Sequence, residues 1–285
     1  GGKADGAQTT RCIMECGGGI NNDLSSPTLR NLAIIGNYAN NNGGGIYNLS
    51  SHPLLQNVAV QANYTGQYGA GVYNNASNPT MLNVLVSGNL SNSRGGAIHN
   101  NSSNPLIVNA TISGNRALSR GGGIYNVSSN PSFKNVILWG NSATVNSEIE
   151  NSNSSAPTFH YSVVKGSGGS SNWNTTFGID GSNNLDADPQ FTTVINPNNT
   201  PTRAGDLHLA TGSPLADAGL SSANSTTLDL DNGARQQSAA IDLGAYESAH
   251  TAQITVAQAL TPAVIEAQET VTYTIVVNNS GSAYA

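Results

Sequence analysis

The chain has 285 residues, more than one ordinary domain, and 9% of them are charged against 37% that are hydrophobic. Its net charge of −6, without any basic stripe, argues against nucleic acid as a partner. No apolar run approaches the roughly 18 residues of a membrane-spanning helix, so no segment is predicted to cross a membrane.

The first chemical feature in chain order is a cysteine pair, Cys12 and Cys16, in the run R-C-I-M-E-C. Two sulfurs without a nearby histidine make a poor metal site. A small local disulfide between Cys12 and Cys16 is the candidate, and two free thiols are the alternative.

Six copies of one 26-residue unit then fill the chain to about residue 160. The unit begins G-G-G-I-Y-N and continues, after a turn, as N-P-x-L-x-N-V-x-V-x-G-N. Its proline recurs at a constant step: Pro27, Pro53, Pro79, Pro105, Pro131 and Pro157. A fixed period of this size predicts a solenoid, in which each unit buries its apolar face against its neighbours.

The segments between the turns predict strands, because they are short, rich in Val, Ile and Leu, and alternate with period two. The inward slot of one such strand is Ile20, Ile46, Val72, Ile98 and Ile124. We therefore predict an all-β fold, a right-handed parallel β-helix of about six coils over residues 1–166. At about 4.8 Å per coil the rod would be roughly 25–30 Å long.

Stacking also converts three asparagine positions into ladders. Asparagine side chains can hydrogen-bond from coil to coil, and asparagine tolerates the left-handed backbone of sharp corners. The ladders are Asn22, Asn48, Asn74, Asn100 and Asn126; Asn31, Asn57, Asn83, Asn109 and Asn135; and Asn37, Asn63, Asn89, Asn115 and Asn141. A structural role is the preferred interpretation.

An aromatic slot follows the inward aliphatic slot and contains Tyr47, Tyr73, His99 and Tyr125. Side chains alternate along a strand, so this slot is predicted to face outward and to be exposed. The exposed rings could stack against sugar rings, which makes these four residues a candidate carbohydrate-binding site. A surface ladder that stiffens the sheet is the alternative.

Acidic residues are missing from the coils: there is no Asp or Glu from residue 24 to residue 146. Glycoside hydrolysis requires two carboxylates, and lyase chemistry requires a base with a cation that acidic residues hold. We therefore predict a protein that is not an enzyme and has no catalytic residues.

The acidic residues are concentrated after residue 180. The run D-L-D-N-G spaces Asp229 and Asp231 as in calcium loops, which makes them a candidate structural Ca²⁺ site. Asx-turns and an ion pair with Arg235 or Arg203 are the alternative explanation.

Two segments resemble known families. The G-G-A-I of Gly95–Ile98 and the I-S-G-N of Ile112–Asn115 resemble the repeats of chlamydial polymorphic outer membrane proteins, which implies a right-handed β-helix. The runs Asp186–Phe191, Asp206–Gly219 and Ala240–Glu247 are similar to the choice-of-anchor module that follows β-helices in bacterial surface proteins. That resemblance implies a C-terminal cap over residues 167–250, since repeat arrays need atypical terminal units.

The last segment, residues 251–285, resembles the opening of the Ig-like domains found in bacterial surface proteins. Val271, Tyr273, Ile275 and Val277 alternate as in a strand with one buried face. Such domains contain further strands, so this segment is predicted to be an incomplete Ig-like domain.

The preferred functional hypothesis is a non-enzymatic structural or adhesive protein, secreted or at the cell surface. Strand addition at the incomplete Ig-like segment would join copies head-to-tail into a filament or stalk. A glycan or a cell-surface molecule is a further candidate partner. A carbohydrate-binding module that uses the Tyr and Asn face, and a polysaccharide lyase or hydrolase, are the alternatives. No cofactor is predicted apart from the candidate Ca²⁺.

Overall fold

The computed structural model describes residues 3–4, 15–248, 254–261 and 272–279. The chain divides into two compact units, Gly1–Glu247 and Ser248–Ala285. Among the described residues of the first unit, the helical elements are single 3-10 turns at Thr175–Phe177, Pro197–Asn199 and Ser221–Ala223. Among the described residues, no helix has the length and apolar character needed to cross a membrane.

Three parallel sheets wind through the first unit and form a β-solenoid of about six coils. Sheet 1 contains Lys3–Ala4, Tyr38–Ala39, Tyr64–Thr65, Leu90–Ser91 and Arg116–Ala117. Sheet 2 contains Ile20–Asp23, Ile46–Leu49, Val72–Asn75, Ile98–Asn101, Ile124–Val127 and Ile149–Ser152. Sheet 3 contains Thr28–Ile35, Leu54–Gln61, Thr80–Ser87, Leu106–Ser113, Ser132–Trp139, Thr158–His160, Val163–Val164 and Ile179–Asp180.

Corresponding residues of successive coils lie side by side. Ile46 pairs in register with Val72, and Val72 pairs with Ile98. The aliphatic side chains of sheets 2 and 3 meet inside the coils and form one continuous buried core. The parallel all-β solenoid with its 26-residue spacing, predicted from the repeat, is therefore confirmed.

The predicted asparagine ladders are confirmed as chains of hydrogen bonds. In the sheet 2 ladder, Asn48 Nδ2 donates to Asn74 Oδ1, and Asn74 Nδ2 donates to Asn100 Oδ1, each at 2.8 Å. In the corner ladder (Asn37, Asn63, Asn89, Asn115 and Asn141), the backbone N and the side-chain Nδ2 of Asn89 both donate to Asn115 Oδ1, at 3.1 and 2.8 Å. Buried amide groups are thus satisfied coil by coil.

The sheet 3 ladder bends the long strands. Its members Asn31, Asn57, Asn83, Asn109 and Asn135 all have positive φ values between 50° and 55°. Asparagine is among the few residues that adopt this left-handed backbone readily, so it sets a corner in the middle of each strand. The corner allows Leu55 before it and Val58 after it both to point into the core.

Residues 167–185 close the C-terminal end of the solenoid. Trp173 and Phe177 pack against the core, and the Trp173 ring lies 5.7 Å from the ring of Phe159. The Trp173 Nε1 donates to the carbonyl of Gly178 at 2.9 Å, and Ile179–Asp180 adds a last strand to sheet 3. The apolar ends of the final coil are therefore covered.

Residues 186–247, here called the lateral segment, lie along the outer face of sheet 3. The resemblance predicted them at the end of the rod, and the structure differs on this point. Phe191, Ile195, Leu207, Leu215 and Leu243 form a second apolar cluster. This cluster packs on the outward side chains Leu85, Ile137 and Val163 of sheet 3. The physical reason is that these outward positions are themselves apolar and need a cover.

Hydrogen bonds attach the lateral segment to the sheet 3 ladder. Asn83 Nδ2 donates to the Leu228 carbonyl at 2.6 Å, and Asn109 Nδ2 donates to Asn224 Oδ1 at 2.9 Å. Leu220 N donates to Asn135 Oδ1 at 2.8 Å. These asparagines therefore set corners and also anchor the covering layer.

The second unit contains one antiparallel hairpin of Ile254–Thr261 and Thr272–Asn279. The two strands pair with each other and form a two-stranded sheet. Ile275 and Val277 are 64% and 59% exposed, so the buried face predicted for this strand is not observed. Val271 of the predicted pattern lies outside the described residues.

Candidate functional site

The aromatic slot of sheet 2 is buried, and the prediction that it is exposed is wrong. Tyr47, Tyr73, His99 and Tyr125 are between 4% and 7% exposed. The rings of Tyr47 and Tyr73 stack in parallel with centroids 5.4 Å apart, and the His99 ring lies 5.0 Å from that of Tyr73. The slot does project from the core, but neighbouring side chains cover it.

Two side chains from the adjoining turns provide this cover. The ring of Tyr68 lies 6.4 Å from that of Tyr73 and 5.0 Å from that of His99. The guanidinium carbon of Arg94 lies 5.2 Å from the ring centroid of Tyr125 and 5.9 Å from that of Tyr68, which is cation–π geometry. The rings that were predicted to bind sugars are thus engaged with one another and with Arg94.

Burial also determines the ionisation of these four stacked rings, here called the aromatic column. Burial lowers the pKa of His99 to about 3, so its imidazole is neutral near neutral pH. Burial, followed by the neighbouring Tyr47, raises the pKa of Tyr73 to about 12. These groups neither exchange protons nor carry charge near neutral pH, so the column is suited to packing.

Asp229 and Asp231, the predicted Ca²⁺ ligands, have carboxylates that contact different partners and do not converge on one point. Asp229 is buried, and its Oδ1 accepts from the backbone amides of Asp231 and Gly233 at 3.0 and 2.8 Å. Its Oδ2 accepts from the amide of Glu247 at 2.9 Å. Asp231 instead pairs with His208. The turn explanation therefore accounts for Asp229, and the candidate Ca²⁺ at these two residues stays a prediction.

His208 connects two parts of the lateral segment, near residues 206 and 231, and was not identified from the sequence. Its Nδ1 hydrogen-bonds with Asp206, its Nε2 lies 2.6 Å from Asp231 Oδ2, and its ring packs on Tyr246 with centroids 4.0 Å apart. Burial lowers the pKa of His208, but the hydrogen bonds to Asp206 and Asp231 outweigh burial, so the pKa is raised. Two carboxylate partners favour the doubly protonated ring.

A buried arginine organises the end of the lateral segment. Arg235 is fully buried, and its terminal nitrogens donate to the carbonyls of Asp242, Gly244 and Tyr246 at 2.8–2.9 Å. Its Nη1 also lies 3.7 Å from Glu247 Oε2. Burial, and then the charge of Asp242, raises the pKa of Glu247 to about 8.

Glu148 ends the corner ladder of asparagines, and its role was also not identified from the sequence. Its carboxylate accepts from Gly140 N at 2.8 Å and from Asn141 Nδ2 at 2.7 Å, where earlier coils offer the next asparagine oxygen. The side chain lines a cavity of about 510 Å³ with Lys165, Asn146 and Asn174. Burial raises the pKa of Glu148 to about 7, although its hydrogen bonds with Asn141 and Gly140 lower it.

Cys16 is buried and takes part in a disulfide. Its predicted partner Cys12 lies outside the described residues, so the pairing stays a prediction. Cys16 packs beside Tyr47 at the start of the aromatic column, which places it in a structural environment.

The contacts of these groups serve packing, turn formation and the termination of the coils. The first glutamates after the acid-free coils, Glu148 and Glu150, were the sequence signal for the end of the ladder. Comparison of the chain with protein-family models, with curated proteins and with solved structures finds no match.

Proposed function

We propose that this chain is a non-enzymatic structural or adhesive protein of the cell surface or the extracellular space. In this proposal the solenoid is a rigid rod, and the C-terminal hairpin joins one copy to the next. The resemblance of the repeats and of residues 185–248 to bacterial surface proteins supports the location. The acid-free run from residue 24 to residue 146 supports a structural role.

The hairpin is the observation that carries the proposal. Val256, Ile275 and Val277 are each more than half exposed, and among the described residues the two strands pair only with each other. An isolated two-stranded hairpin is at best marginally stable in water, and its outer edges offer unpaired amide and carbonyl groups. Strand addition from a second copy would cover these side chains and pair these edges.

A head-to-tail contact of this kind is heterologous, so it propagates unless the rotation closes a ring. We therefore expect the full chain to form oligomers whose size rises with concentration. Sedimentation velocity over a concentration series, followed by negative-stain electron microscopy, measures this directly. A strictly monomeric species at every concentration would contradict the proposal.

A charge on the hairpin should block the assembly. Val277→Lys places an ammonium group on the exposed strand, and charged side chains on an edge discourage pairing. Val194→Lys is the matched control, because Val194 is 67% exposed but lies in the lateral segment. We expect Val277→Lys to sediment as a monomer and Val194→Lys to assemble as the unaltered chain does. Equal assembly of both variants would rule out the hairpin as the contact.

The two alternatives stay predictions. The burial of the aromatic column weighs against sugar stacking at Tyr47, Tyr73, His99 and Tyr125. An assay for unsaturated or reducing-end products, with and without Ca²⁺, tests the lyase and hydrolase hypothesis.

A further inference from the structure

Three carboxylates from different turns of the lateral segment converge on one point. One oxygen from each of Asp217, Asp242 and Glu247 lies within 4.8 Å of the other two. The backbone fixes this convergence, because Asp217 N donates to Asp242 Oδ1 at 2.8 Å and Asp242 N donates to Glu247 Oε2 at 3.1 Å. Asp217 also adopts a left-handed backbone, with φ of 54°.

The second oxygen of Glu247 provides an independent observation. Glu247 is 7% exposed, and its Oε1 is shielded from solvent and accepts no hydrogen bond from any described residue. Buried polar atoms are satisfied in the great majority of cases, and a buried carboxylate oxygen needs a partner more than most. Oε1 belongs to a carboxylate of this cluster, so a cation bound there could be its partner.

Three carboxylates meet at this point, and one of them, Glu247, faces a buried arginine. Arg235 faces Glu247 at 3.7 Å, but its terminal nitrogens donate to three backbone carbonyls. A cation between the three carboxylates would relieve both their repulsion and their desolvation.

We propose that Asp217, Asp242 and Glu247 bind a single Ca²⁺ ion. An all-carboxylate ligand set suits a hard cation, and Ca²⁺ accepts irregular geometry and completes its coordination with carbonyl oxygens or water. The ligands come from a turn near residue 217 and from residues 242 and 247, so the ion would hold the end of the lateral segment together. This site is distinct from Asp229 and Asp231 and does not depend on the proposed assembly.

Calcium titration of the full chain after treatment with a chelator tests the proposal. We expect isothermal titration calorimetry to give one saturable site, and we expect Ca²⁺ to raise the melting temperature. Asp217→Asn should weaken binding about tenfold or more, because calcium affinity depends on the number of charged ligands. Asparagine also adopts the left-handed backbone of this position, so the variant is suited to keep the fold.

Asp231→Asn is the matched control, since Asp231 lies in the same segment but pairs with His208. Its calcium affinity should equal that of the unaltered chain. Glu247→Gln provides a second variant, and circular dichroism identifies whether each variant folds. Absence of saturable binding up to about 10 mM Ca²⁺, above the range of weak extracellular sites, would overturn the proposal. Binding that Asp217→Asn leaves unchanged would also overturn it. If Glu247→Gln stabilises the fold and Ca²⁺ has no effect, Glu247 is protonated in the folded state and the cluster binds no ion, which would also overturn the proposal.

Discussion

Buried asparagines connect the coils one residue at a time. Asn74 is fully buried, accepts from Asn48 and donates to Asn100. Each amide satisfies a group on either side, so an interruption leaves two buried polar groups without a partner. The cost of such groups exceeds the net stabilisation of the hydrogen bonds themselves. These hydrogen bonds therefore favour asparagine at the same position of every coil.

Asn74→Leu, which keeps a side chain of similar size, should destabilise the fold strongly. It leaves Asn48 Nδ2 and Asn100 Oδ1 unsatisfied, which predicts a loss of about 2–5 kcal/mol in the free energy of unfolding. Asn104→Ala is the control, because Asn104 is exposed and water can replace its hydrogen bond with the Asn130 amide. That change should cost less than about 0.5 kcal/mol. Urea denaturation measures both, and equal losses would show that the ladder contributes no special stability.

At the scale of elements, the lateral segment packs closely against glycines that lie between the strands of sheet 3 and those of sheet 1. Gly36, Gly88, Gly114 and Gly140 share one slot and have φ values of 61–73°, and Ala62 occupies the same slot with φ of 53°. A Cβ on Gly88 would overlap the Thr202 carbonyl and one on Gly114 would overlap Ile195, whereas Gly36 has open space. Because alanine occupies this slot at residue 62, the backbone conformation alone does not require glycine. The glycines beneath the lateral segment also leave the space that this segment needs to pack against the coil.

Gly114→Ala should therefore loosen the lateral segment, and Gly36→Ala should not. Both changes impose the same left-handed strain on alanine, but Gly114→Ala adds an overlap with Ile195 that costs about 1–3 kcal/mol more. Hydrogen exchange should rise across residues 186–247 in Gly114→Ala and stay unchanged there in Gly36→Ala. Equal exchange in the two variants would show that the segment adjusts without losing its attachment.

The repeat made the coils predictable, because each position recurs at a constant step and identical residues must stack. The lateral segment contains no repeat, and its contacts join residues far apart in the chain, such as Asn135 and Leu220. One signal was present: Val136, Ile137 and Leu138 are consecutive apolar residues, which indicates a strand covered on both faces. Alternation likewise predicted the side on which Tyr73 projects, but it could not show that Tyr68 and Arg94 cover that side.

At the scale of the whole molecule, stability should depend on pH through groups that bind protons more tightly when folded. Glu148 is 6% exposed and His208 bridges two carboxylates, and both have raised pKa values. A raised folded-state pKa contributes stability below the unfolded value, and the contribution disappears as pH rises through the folded value. Asp180 and Asp206 have lowered pKa values and act oppositely, but only in stronger acid, as pH falls below the ordinary aspartate range. The lowered pKa of His99 also acts oppositely, up to its ordinary value of 6.5, and offsets part of the fall.

We therefore expect the free energy of unfolding to fall as pH rises from about pH 5 to about pH 8. A Glu148 pKa raised from 4.5 to about 7 corresponds to a fall of about 2–3 kcal/mol over this interval. The glutamine of Glu148→Gln does not ionise, so the stability of this variant should fall by about that much less. Comparison of the two proteins at each pH cancels the contributions of His99, His208 and Glu247. Lys165 also acts on Glu148 and lowers its pKa, so Lys165→Met should steepen the dependence. Chemical denaturation at several pH values measures these slopes. Parallel curves for the unaltered chain and Glu148→Gln would show that Glu148 does not retain its proton in the folded state.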